Sequence, residues 1–174
     1  RQQETNLSKI IGRSYLQVPP GSTDKIPTIS FFNAGLIRLE DKLPPGPITQ
    51  YDILRIMPFG DSIFHLNLLG STIKKIYEIG RNKIGSGDFL QWEGLPKNLN
   101  EIVSISTYRV ATNGYLLRGT TPGLEFLNRG KMDPKFADIK EIQDQRKALI
   151  EQLRIDFPTG KMRWALPRQH LQNR

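Results

Sequence analysis

The stretch Asp52–Gly80 constrains the fold more than any other part of the chain. It opens with a short apolar helix pattern and breaks at Pro58-Phe59-Gly60. It restarts with Phe64, Leu66 and Leu68 alternating with His65 and Asn67, a period of two that predicts a strand with one buried face. A turn at Gly70 then leads behind Ser71, the expected cap, into a second helix whose stripe is Ile73, Ile76 and Tyr77 and whose end is set by Gly80. His65 falls on the more polar register, where a lone histidine is expected to be structural or solvated. An aromatic residue in the turn between a helix and a strand is unusual, because turns normally carry polar side chains. Phe59 therefore has either a core to enter or a ligand to touch.

The flanking segments obey the same mixed pattern. Leu7, Ile10 and Ile11 share one helical face behind a cap at Thr5 or Asn6, and Val18-Pro19-Pro20-Gly21 ends that helix. Thr28–Phe32 reads as a buried strand, and Thr49-x-x-Asp52 has the form of a capping box. Phe89–Trp92, Ile102–Ser106 and Tyr108–Thr112 read as strands, with a turn signal at Asn113-Gly114. Asp133-Pro134 predicts the start of a last helix with Ile139, Ile142, Leu149, Ile150 and Leu153 as its buried stripe, ended by Pro158 and Gly160. Helices and strands alternate without a strict βαβ period. A single α+β domain over 1–174, with a mixed β-sheet packed by helices, is the fold expected.

Composition narrows the chemistry. The 174 residues are enough for one domain with its own core, and 37% apolar with 24% charged residues is ordinary for a folded chain. No run of about 18 apolar residues occurs, so no membrane span is expected. The chain begins at Arg1, which points to a processed or excised piece of something longer. The absence of cysteine excludes disulfides and thiolate metal sites. With His65 and His170 as the two imidazoles and no ligand spacing around them, no metal ligands and no catalytic residues are assigned. The net charge of +8 raises nucleic acid as a partner, most visibly through Lys161, Arg163, Arg168 and Arg174. No recognition motif accompanies that charge, so nucleic acid is not the partner expected; steep salt dependence of binding to DNA or RNA would be its signature.

Six stretches, in order and at sensible spacing, resemble one family. They are Arg1-x-x-Glu4-x-x-Leu7; Asn33-Ala34-Gly35-Leu36-Ile37-Arg38 where the family has N-G-G-G-I-R; and Ile48-Thr49-x-x-Asp52 followed by Met57-Pro58-Phe59-Gly60 for I-T-x-x-D and L-P-F-G. Next come Leu69-Gly70 opening a helix, Phe89-Leu90-Gln91-x-x-Gly94, and Tyr108-x-Val110-Ala111-Thr112-Asn113-Gly114-Tyr115 for Y-x-V-A-T-N-D-[FY]. Together they make the chain similar to the C-terminal domain of 5'-nucleotidases and UDP-sugar hydrolases.

The resemblance implies a substrate-binding module that is not catalytic alone. Its partners would be a nucleotide or nucleoside and an N-terminal metallophosphatase domain of the same parent protein. No cofactor is implied in this chain, and two divalent metal ions are implied in that other domain. The family positions that stack on the base correspond to Phe59 and Tyr115, the position facing the base to Asn33, and those near ribose and phosphates to Arg38 and Arg1. A periplasmic, secreted or cell-surface location follows from the family alone. Aromatic faces suit any base, and guanidinium forks suit phosphate oxygens.

Departures from the pattern lie where the ligand would sit. Thr120 and Thr121 replace Gly-Asp, removing the carboxylate that holds ribose hydroxyls in the family. Ala34 and Leu36 replace glycines, and Ser8-Lys9 replaces the opening Gly-Asn. A second reading therefore stands beside the first: a degenerate member that serves as an interaction or structural domain.

Overall fold

The computed structural model describes residues 5–39, 43, 46–133 and 137–158. Its centre is a five-stranded mixed sheet. The strands are β1 (Ile29–Asn33), β2 (Ser62–Leu69), β3 (Leu90–Glu93), β4 (Thr107–Asn113) and β5 (Lys140–Asp144), in spatial order β3-β1-β4-β2-β5. β1 runs parallel to β4, and the β1–β3, β2–β4 and β2–β5 pairs are antiparallel. The helices are α1 (Asn6–Tyr15), α2 (Gln50–Ile56), α3 (Gly70–Arg81) and α4 (Gln145–Asp156). The α+β class with one mixed sheet is as the sequence predicts.

The sheet separates two cores. On one face Phe31, Phe64, Leu66, Trp92 and Val110 pack with Ile73 and Ile76 of α3. On the other, Phe32, Ile63 and Ala111 pack with Ile11 of α1, Ile56 of α2 and Leu149 of α4. Strand residues thus alternate between two buried faces, which overturns the reading of β2 as a strand buried on one side. His65 is 0% exposed, because α1 covers the face that its polar register suggested was open. It bridges, through Nε2, to the Tyr15 carbonyl at 2.9 Å and, through Nδ1, to Asp24 at 2.8 Å.

Local signals set most helix starts. Thr5 caps α1 and shares a capping box with Ser8, whose hydroxyl stands where Glu or Gln is common. Thr49 and Asp52 form the predicted box on α2, with the Asp52 carboxylate accepting the Thr49 N–H at 2.8 Å. That bond and the Thr49 hydroxyl hold the Asp52 carboxyl below its usual range.

Three predicted elements are corrected. The segment Ile102–Ser106 is not a strand: after a 3-10 turn it forms a loop whose Ser106 and Ser104 carbonyls accept the Gly70 and Ser71 N–H groups at 2.9 and 3.0 Å. Those carbonyls replace Ser71 as the cap of α3, and a Cβ at Gly70 would collide with the Val103 carbonyl. Gly80 lies inside α3, buried against Leu90, and the helix ends at Arg81. The last helix starts at Gln145 and not at Asp133-Pro134 (Pro134 is outside the described residues), because Lys140–Asp144 pairs with β2 as an edge strand. Ile139 and Ile142 fit a helical stripe equally well on paper. The open edge of β2 decides the matter, since its backbone groups need partners. Asp144 then caps α4 by accepting the Arg146 and Lys147 N–H groups. Gly160 also lies outside the described residues.

Candidate functional site

Topology brings separate motifs to one end of the sheet. β2 begins where β4 ends, with Ile63 opposite Asn113. β1, parallel to β4, ends beside it at Asn33, and β3 starts opposite Asn33 at Leu90. The turn before β2 carries Phe59, the turn after β4 carries Tyr115, and the loop preceding β3 contributes Gly87.

The two aromatic residues are presented outward. Phe59 is 55% exposed and Tyr115 36% exposed, whereas Phe31, Phe32 and Tyr15 are 0% exposed. Of the two alternatives for Phe59, core entry is therefore removed. Arg38 is exposed, with its guanidinium 5.2 Å from the Phe59 ring centroid, and its N–H donates to the Ile56 carbonyl at 2.9 Å at the end of α2. Arg129 lies 5.2 Å over the ring of Phe64, beside the same turn as Tyr115. Cations and aromatic faces are thus interleaved at this end, a surface suited to a planar ring that carries negative charge.

Asn33 is differently placed from the exposed pair. It is 7% exposed, its Oδ1 accepts from Asn113 Nδ2 at 3.0 Å, and its Nδ2 donates to the Gly87 carbonyl at 3.5 Å. Gly35 N–H donates to the same carbonyl at 2.7 Å. The side chain ties β1, β4 and the loop at Gly87 together. Asn113 Oδ1 in turn accepts the Leu116 N–H at 3.3 Å, which closes the turn around Tyr115. Thr121 is 1% exposed and its hydroxyl has no hydrogen-bond partner among the described residues. Arg1 and the basic residues Lys161, Arg163, Arg168 and Arg174 lie outside the described residues.

Two contributors escape sequence reading. Asp61 accepts the Ser62 N–H on Oδ1 at 2.9 Å and the Tyr115 N–H on Oδ2 at 2.7 Å. Gln145, the first residue of α4, donates from Nε2 to the Phe59 carbonyl at 3.0 Å and accepts the Tyr15 hydroxyl at 2.9 Å. Burial, then the charges of Asp61 and Asp144, hold the Tyr15 phenol well above its usual value, so it remains a donor. Neither Asp61 nor Gln145 sits in a periodic pattern that could have marked it. Among the described residues, no group of three or more His, Cys, Asp or Glu could hold a metal ion, and no helix is long and apolar enough to cross a membrane.

Residues 1–127 match the family model "5'-nucleotidase, C-terminal domain". The chain belongs to that family. Among curated proteins, the trifunctional nucleotide phosphoesterase protein YfkN of Bacillus subtilis is 29% identical over 143 residues, covering 68% of this chain and 10% of that protein. A 5'-nucleotidase of Vibrio parahaemolyticus is 26% identical over 96 residues, covering 55% of this chain and 16% of that protein. Among solved structures, the 5'-nucleotidase precursor from Thermus thermophilus superposes with a TM-score of 0.69 at 19% identity. That superposition covers 88% of this chain and 33% of the other, and it establishes the shared fold. The chain therefore spans about a tenth to a sixth of the length of these curated relatives. As a 5'-nucleotidase C-terminal domain, its family match ends before β5 and α4, so Gln145 comes from outside the matched residues.

Proposed function

We propose that this domain binds a nucleotide or nucleoside by stacking the base between Phe59 and Tyr115. In the parent protein it would present the phosphate ester to a two-metal site on a separate N-terminal metallophosphatase domain, outside the cytoplasm. The observation that carries the reading is the pair of exposed rings on turns at one sheet end. Stacking is favourable for any base, at about 1–3 kcal/mol each, so two rings supply affinity without choosing among bases. Arg38, beside Phe59, would pair with phosphate oxygens in this reading, since a guanidinium holds them through two parallel bonds. Asn33 serves this site as a tie between strand ends, its amide being engaged by Asn113 and Gly87. The domain supplies no metal ligands in this reading, and hydrolysis belongs to the two metals of the other domain.

Titration with adenosine tests the slot. Phe59→Ala and Tyr115→Ala should each weaken binding by about 1–3 kcal/mol with melting temperature little changed, since both rings are exposed. Unchanged affinity in both variants would refute it. Thr121 supports the second reading, a degenerate member acting as an interaction or structural domain, because the position that carries the ribose-binding carboxylate in the family is here a buried threonine. Absence of adenosine binding by the folded wild-type chain would favour that alternative.

A further inference from the structure

The Phe59 and Tyr115 turns meet through side chains that the family motifs do not include. We propose that Asp61 and Gln145 form a strut that sets the Phe59 turn against the Tyr115 turn, which makes Gln145 a positioning residue of the slot. The inference rests on the proposed slot and adds to it the device that holds its two walls in register.

The bonds run continuously from the core to the backbone of both turns. The Tyr15 hydroxyl, on a residue 0% exposed, donates to Gln145 Oε1 and so fixes which way the amide of Gln145 faces. Gln145 Nε2 is thereby aimed at the Phe59 carbonyl, at 3.0 Å. The Gln145 N–H donates to the Asp61 carbonyl at 3.1 Å, two residues further along the same turn. The Asp61 carboxylate then crosses to the other turn, accepting the Tyr115 N–H at 2.7 Å. Gly114 is what admits it: a Cβ there would press on Asp61 Oδ1, and would come within 3.0 Å of Phe64 Cε2. The family pattern has Asp at this position, so the glycine and the crossing carboxylate belong together in this chain. Gln145 is 0% exposed, and the first turn of α4, capped by Asp144, holds its backbone. A stack needs two faces at fixed separation, and pre-set walls avoid the ordering cost of bringing them together on binding.

The experiment compares Gln145→Met, which keeps the volume and removes both side-chain bonds, with Asp61→Ala, which removes the crossing carboxylate from a half-buried position. Leu149→Ala, one helical turn from Gln145, serves as a control that destabilises α4 without removing a strut bond. Adenosine affinity is measured well below each melting temperature, and amide hydrogen exchange is followed at Tyr115 without ligand. Gln145→Met and Asp61→Ala should each raise the Kd about three- to tenfold and speed Tyr115 exchange by a similar factor. Leu149→Ala should change neither. Unchanged Tyr115 exchange in both strut variants overturns the strut, as does an equal loss of affinity in Leu149→Ala. Should Phe59→Ala and Tyr115→Ala both leave affinity intact while Tyr115 exchange responds as expected in the strut variants, the slot is refuted and the strut stands as a purely structural link.

Discussion

Replacing Asp24 by Asn should cost more stability than any surface substitution, and the cost should depend on pH in a predictable direction. Asp24 is in a loop, yet its side chain is 5% exposed. Its Oδ1 accepts from Arg109 Nη2 at 2.7 Å and faces Lys140 Nζ at 3.3 Å, while Oδ2 meets His65 Nδ1 at 2.8 Å. Burial pushes the carboxyl upward, but the bonds from His65, Arg109 and Lys140 outweigh it and hold the group below its usual range. Removing the charge leaves the Arg109 guanidinium, 7% exposed, without its main partner, although Asp138 and Asn67 still accept from it. Breaking a buried pair in this way costs about 3–5 kcal/mol. For a chain of this size that is a fall in melting temperature of roughly 6–20 °C. The sign with pH follows from the lowered value: the unfolded carboxyl binds protons more readily than the folded one. Asp24 therefore contributes fully above about pH 4 and loses its contribution as pH falls through the folded-state value. His65 acts in the same direction. Burial lowers its pKa against the pull of the Tyr15 carbonyl and Asp24, so folding weakens as pH drops below about 6.5. Asp24→Asn removes part of that pull and steepens the loss. Urea unfolding of both proteins at pH 7, 5 and 3 checks this. The gap between them should be several kcal/mol at pH 7, no smaller at pH 5, and narrower at pH 3, where the unfolded carboxyl is protonated; a gap under about 1 kcal/mol at pH 7, or one that widens between pH 5 and pH 3, refutes the reasoning.

Two further outcomes are expected. Leu149→Ala, at a position 0% exposed between α4 and the sheet, should cost about 2–5 kcal/mol in urea unfolding, and a loss under about 0.5 kcal/mol would show that the helix packs elsewhere. The 174-residue chain, free of contaminating phosphatase, should not turn over AMP with added divalent metal, since its described residues supply no ligand cluster; clear turnover would contradict the binding-module reading.

What the sequence reveals and what it hides divide along a physical line. Helix α1, the Thr49–Asp52 box, β2 and β4 are written in local periods and caps, whose causes lie within a few residues. Phe59 and Tyr115 stand out because bulky rings sit in turns, and their exposure removes the core reading. β5 cannot be separated from a helix by spacing, since the deciding partner is the free edge of β2, far away in sequence. The same holds for Asp24 with His65, Asp61 with Tyr115 and Gln145 with Phe59, pairs 41, 54 and 86 positions apart. His65 proves structural, one of the two roles expected, but the pattern could not choose between them because alternation gives a register without telling whether the second face is covered. Asn33 is legible as the end of a strand, while the engagement of its amide by Asn113 and Gly87 depends on two distant segments.

Thr121 gives the proposed slot a distinct selectivity. In the family pattern a carboxylate at this position holds the ribose hydroxyls, and hydrogen bonds to a charged group contribute about 1.5–3 kcal/mol. Here the side chain is 1% exposed and its hydroxyl has no partner among the described residues, so it is enclosed and not offered at the surface. A carboxylate placed there would have to be buried, whereas a small neutral residue suits the packing. In the proposed slot the carboxylate contact to the ribose is absent, and nucleoside affinity rests chiefly on the two rings, whose faces do not distinguish a 2'-hydroxyl. Adenosine and 2'-deoxyadenosine should therefore bind with Kd values within about threefold of each other, whereas a charge-assisted bond to the sugar would separate them by roughly 10- to 100-fold. Parallel titrations under identical salt and pH decide it. A preference for adenosine above about tenfold would mean that another group reads the sugar and that the loss at Thr121 has been compensated elsewhere in the domain.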